Sequence, residues 1–147
     1  MSEDNLKDIL LITAPNEGGM AKIENDQIEI IDRISTTGIY MDSNRFIRSV
    51  QRDDYCEIII YNNDGTFHTL LYDDLSDIHD VLFHDNSLYL VSTGTNEVVT
   101  ISSFGVNKRW KVPGERDAWH LNCLDVWNNK IVVSAFGEFE SNRGYKG

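Results

Sequence analysis

The sequence predicts an all-β fold, a partial β-propeller of about three and a half four-stranded antiparallel blades taken from a larger propeller. Three observations lead there. A strand–turn–strand pattern recurs in GIYMDSNRFIRSV (38–50), DVLFHDNSLYLVS (80–92) and CLDVWNNKIVVS (123–134), with turn residues Asn44, Asn86 and Asn129. That spacing, near 42 residues, is the length of one blade of four short strands. The apolar runs are dominated by β-branched and aromatic residues, and no segment carries a capped apolar stripe of helical period.

The elements follow in order along a single domain. Runs at 9–13, 19–24 and 27–32 read as three strands of an incomplete blade (6–33) that lacks its innermost strand. Strands at 39–42, 46–50, 57–61 and 67–72 make the blade 34–75, the last two joined by the turn NNDG, whose residues tolerate positive φ. Its third strand, EIIIY (57–61), lacks strict alternation, as expected of a strand covered on both faces. Strands at 81–84, 88–92, 97–101 and 107–112 make the blade 76–115. Strands at 124–127 and 131–135 open a further unit, 116–147. A propeller closes with about four blades or more, so this run leaves open strand edges prone to self-association. A β-sandwich with similar strand spacing is the structural alternative.

Composition narrows the function classes. The 147 residues carry 24 acidic against 13 basic side chains, a net charge of −11 that repels phosphate backbones and argues against nucleic-acid binding. The one basic cluster, Lys108, Arg109 and Lys111 around Trp110, reads as the solvated face of an outer strand or a local anion patch. No apolar run is long enough to span a membrane, and the acidic lead of MSEDNLKDILLITAP is unlike a secretory signal. Cys56 and Cys123, without metal or redox spacing, read as two buried thiols of a cytoplasmic protein.

Aligning the units on Phe46, Leu88 and Ile131 places Thr37, His79 and Asn122 at one position, and Ser35, Asp77 and His120 two residues earlier on the same strand face. Adjacent units therefore carry Asp-x-His and His-x-Asn where an innermost strand begins, at the mouth of a propeller channel. Such a group offers hard oxygens and imidazole nitrogen. A divalent metal such as calcium, with Asn122 and His79 as ligands, is one chemistry that fits. A small polar or sugar-like ligand held by hydrogen bonds at Asp77, His79, His120 and Asn122 is another. A purely structural role, satisfying backbone groups of the neighbouring blade, is the third. Trp119 is a candidate for lining the mouth, although all three tryptophans also suit blade packing. The acidic run DDLSD (73–77) lacks the spacing of a calcium loop, and no G-x-S-x-G, phosphate loop or H-E-x-x-H occurs. Cys123, three residues after His120 in a strand, faces away from it.

Two resemblances add expectations. The stretches DIHDVLFHDNSLYLVSTGTNEVV (77–99) and RDAWHLNCLDVWNNKIVVSAFGE (116–138) resemble an uncharacterised bacterial propeller-like family with I-H-D-V and H-L-N-G-L strands. That resemblance implies further blades beyond this chain and brings no activity. More loosely, Asn122-Cys123-Leu124 is similar to the N-G-L strand opening of the gluconolactonase and senescence-marker propellers, which maps Asn122 onto a metal asparagine. Cys123 departs from that pattern, and the E-G-P motif of that family is absent. Two functions remain in play: a binding or scaffold module for a small polar ligand or a protein, and a metal-dependent hydrolase of sugar lactones or related esters. The sequence leaves enzyme activity open.

Overall fold

A computed structural model describes residues 9–102 and 105–147. The acidic lead read above as unlike a signal, and the first residues of the opening blade, lie outside the described residues. β1 (Ile9–Ala14), β2 (Gly19–Glu24) and β3 (Gln27–Asp32) form a first antiparallel sheet. β4 (Thr36–Met41), β5 (Arg45–Gln51), β6 (Cys56–Asn62) and β7 (Phe67–Tyr72) form a second. β8 (Ile78–His84), β9 (Ser87–Ser92), β10 (Glu97–Ser102) and β11 (Gly105–Lys111) form a third, and β12 (Leu121–Trp127) pairs with β13 (Lys130–Ala135) in a fourth. In each sheet the strands lie side by side in chain order. The only helical turns among the described residues are short 3-10 segments at Thr93–Thr95 and Gly144–Lys146. No helix among them is long and apolar enough to cross a membrane.

Local chemistry sets these hairpins. Asp85–Asn86 and Asn128–Asn129 take positive φ at both residues, the turn that matches strand twist with a two-residue loop. The equivalent turn of the second sheet is built differently. There the Asp42 carboxylate accepts from the backbone N–H groups of Asn44 and Arg45, at 2.8 and 2.9 Å, and Asn44 needs no left-handed backbone.

The main core lies between the second and third sheets. Ile47, Ile58, Leu90 and Val99 are fully covered there, with Val81, Ile78 and Leu75 nearly so. A smaller core of Val91, Val98 and Leu121 joins the third sheet to the fourth. Between the first and second sheets the cover is polar. Buried Arg48 grips Asp32 through both carboxylate oxygens, at 2.6 and 3.2 Å, and holds that carboxyl below its usual range.

The first strands pack side by side, β4 against β8 and β8 against β12. Each carries a register shift near its start, at Thr36–Ile39, Ile78–Asp80 and Leu121–Leu124. Bulges leave backbone groups unpaired within their own sheet. Neighbouring sheets satisfy them here. Thr13 donates to the Thr37 carbonyl at 2.7 Å, Ser49 to that of Ile78 at 3.1 Å, and Thr93 to that of Leu121 at 2.5 Å. Thr37 also donates to the Ile78 carbonyl. In the opposite sense, the Leu124 N–H reaches the Asp80 carboxylate at 2.6 Å.

Two expectations need correction. Cys56 is buried, and burial pushes its thiol up to about 11, but Cys123 is exposed, since none of the described residues covers it on the two-stranded sheet. Among the tryptophans, Trp127 is 65% exposed and Trp110 42%, rather than packed between sheets.

Gly38 tests the close approach of first strands. A Cβ there would stand 2.8 to 3.0 Å from the backbone of Asp80 and Val81, which cannot move without shifting β8. Gly38→Ala is expected to cost about 1–3 kcal/mol of stability, the range for overpacking, read by denaturant unfolding. A loss below a few tenths would mean that β4 and β8 are not in this contact.

Candidate functional site

Alternation along the first strands builds the site. Ile78 and Leu121 are buried at 2% and 1% exposure, so the flanking residues Asp77, His79, His120 and Asn122 are carried to the opposite side. Asp77 and His120, at matching positions, both take left-handed backbone, with φ of 54° and 50°, just before their strands begin. His79 and Asn122 then fall within the two bulges. The imidazoles of His79 and His120 meet edge to face, with ring centroids 4.8 Å apart and planes at 87°. The structure thus brings together the four residues that the repeat register aligned.

Each imidazole has its own carboxylate. His79 Nε2 lies 3.3 Å from Asp77 Oδ1, and a hydrogen bond with the Asn122 side chain adds a second partner. His120 Nδ1 lies 2.8 Å from Oδ1 of buried Asp117. The hydroxyl of Tyr145 stands 3.0 Å from both His120 Nδ1 and Asp117 Oδ2, and Arg143 Nε donates to the same Oδ2 at 3.2 Å. Phe136 and Tyr145 close on the His120 ring at centroid distances of 4.3 and 4.7 Å.

Asp117, Phe136, Arg143 and Tyr145 were not singled out in the sequence. They arrive because the segment after β13 folds back: Arg143 N–H donates to the Asp117 carbonyl and Glu115 N–H to that of Glu140. The one sequence signal was the i, i+3 spacing of Asp117 and His120 in RDAWH. Trp119, in contrast, packs against the Val91, Val98 and Leu121 core, with its backbone N–H on the Asn96 side chain. Its ring is therefore a piece of the inter-sheet core rather than a wall of the histidine pair. DDLSD is likewise structural, with Asp74 paired to Arg109, Leu75 in the core and Asp77 on His79.

Electrostatics couple the first pair. Asp77, by hydrogen bond and charge, raises the pKa of His79 against the opposing effect of burial, with Asp117 and Asn122 adding to the rise. In return His79 holds the Asp77 carboxyl low. Among the described residues, no three His, Cys, Asp or Glu side chains gather as a set that would hold an ion. His79 and Asn122 do not fit a calcium site here, since calcium takes about six to eight oxygen ligands.

No family model and no curated protein matches the chain.

The pair predicts a pH signature. His79 has a raised folded pKa, so its contribution to stability is complete below the ordinary value of 6.5 and is lost as pH rises through the folded pKa. Asp77 has a lowered one, so its contribution is present above 3.8 and is lost as pH falls through its folded pKa. Proton NMR should find His79 titrating above 6.5, and Asp77→Asn should bring it down. A wild-type His79 titrating below 6.5 would show that the two side chains do not pair in solution.

Proposed function

We propose that this chain is an arc of a β-propeller and serves as a binding module. Its ligand site is the Asp77, His79, His120 and Asn122 group at the channel mouth, and its ligand is a small, hydroxyl-bearing polar molecule. One observation carries the reading: successive sheets deliver matching strand-start residues to a single half-buried point. The His79 side chain is 21% exposed and that of His120 16%, so the pair is reachable from solvent and is not sealed in the core. Imidazole nitrogens with a neighbouring amide and carboxylates offer donors and acceptors in alternation, the pattern that neutral polyols and sugars satisfy.

The propeller part rests on the chain-order sheets, the side-by-side first strands and the two end faces. Ile28, Ile30 and Ile31 of β3 are 45–69% exposed at one end of the array. Trp127, Val132 and Val133 are 39–65% exposed at the other. Apolar faces of this kind are covered by another protein surface in most folds, and a further sheet of the same kind is the cover that a propeller supplies. The resemblance of 77–99 and 116–138 to a propeller-like family points the same way.

Two experiments follow. Calorimetric titration with neutral monosaccharides and polyols, starting from D-glucose and glycerol, should find saturable heat for at least one of them. His79→Ala and Asn122→Ala should each weaken it at least about tenfold, the loss of one or two hydrogen bonds. Absence of saturable heat across the panel would contradict the ligand class. For the arc, sedimentation velocity should show concentration-dependent association, relieved by Ile28→Lys with Val133→Lys. A wild-type chain that stays monomeric at high concentration would contradict the open faces.

A further inference from the structure

Beside the histidine pair, on the far side of Asp77 and Asp117, lies a cleft of about 530 Å³. It is walled by the start of β8, the 3-10 turn at 93–95, the loop after β11 and the folded-back tail, and its size is that of a small-molecule site. Its polar groups are unevenly used. The acceptors are occupied: Asp117 receives His120 on one oxygen and both Tyr145 and Arg143 on the other, and Asp77 is held by His79. The Thr95 hydroxyl is committed to Glu97 at 2.8 Å and Ser92 at 2.7 Å.

The donors are used less fully, although Arg143 is ion-paired to Asp117. Among the described residues, Lys111 and Arg116 have no ion pair, the Ser76 hydroxyl and Asn142 amide have no hydrogen bond, and Arg143 uses only Nε. Elsewhere Arg48 is on Asp32, Arg52 on Glu57, Arg109 on Asp74 and Glu97, and Lys22 on Glu24 and Glu29. Arg33, Lys108, Lys130 and Lys146 have no ion pair among the described residues, so what sets Lys111 and Arg116 apart is that they line one cleft together. What they lack is a ligand made of acceptors carrying negative charge, and guanidinium forks match the oxygens of carboxylate and phosphate.

We propose that this cleft binds a small oxyanion, a phosphate or carboxylate group, through Lys111, Arg116 and Arg143. The site is separate in its donors from the His79 and Asn122 group and does not depend on that group's ligand. Because the three cations are exposed to solvent, affinity is expected on the order of millimolar and to fall with added salt.

The test is calorimetric titration of the whole chain with inorganic phosphate and, separately, with acetate, at low ionic strength and against a chloride blank of equal strength. Saturable heat with at least one anion is expected, and the anion that saturates at the lower concentration identifies the class. Lys111→Gln with Arg116→Gln, both exposed and checked for folding by circular dichroism, should weaken it at least about tenfold, the loss of two charge-assisted contacts. Lys130→Gln, which removes a cation outside the cleft, should leave it within twofold, which separates this site from a general effect of net charge. Heat no greater than the chloride blank for both anions, or unchanged heat in the folded double variant, would overturn the proposal.

Discussion

The structure turns on one constraint: the bulged starts of β4, β8 and β12 hold backbone groups that their own sheets do not pair. Buried amides and carbonyls without partners are costly, so each must be answered from a neighbour. Side chains of the preceding sheet do this, with Thr13 of β1, Ser49 of β5 and Thr93 just after β9 donating to Thr37, Ile78 and Leu121 in turn. The bonds are directional where the hydrophobic contacts around them are not. They fix how far each sheet slides along the next, and Gly38 allows β4 and β8 the separation this requires.

The same bulges create the site. By interrupting alternation at the strand start they place His79 and Asn122 beside the residues that begin each strand, and the left-handed Asp77 and His120 complete the turn. Two Asp–His pairs then face one another from adjacent sheets. Each imidazole is held by its own carboxylate, and the group stays within reach of solvent.

Much of this was legible in the sequence because it is periodic. The Asn-centred hairpins, the NNDG turn and the strand runs fall where β4 to β13 lie, since a repeat repeats its turn chemistry and apolar pattern together. Register alone also brought Asp77, His79, His120 and Asn122 together on paper, since they occupy equivalent positions in neighbouring units. Asp117 was signalled only by its i, i+3 spacing to His120. Arg143 and Tyr145 were not legible, since they reach Asp117 from a non-repeating tail and no period announces a fold-back. Cys123 was misjudged because its burial depends on whether a sheet covers β12, a tertiary fact. Of the two roles the sequence offered Trp119, packing and lining the mouth, the structure shows the packing one, against Val91, Val98 and Leu121.

Native-state hydrogen exchange at Leu124 tests the central claim most directly. Its N–H is held across the junction of β8 and β12 by the Asp80 carboxylate. The account predicts protection of this amide comparable to that of the core strands, and its selective loss in Asp80→Ala while β5 and β9 stay protected. Rapid exchange at Leu124 in the wild-type chain would contradict the claim that bonds between side chains and bulged backbones lock the sheets together.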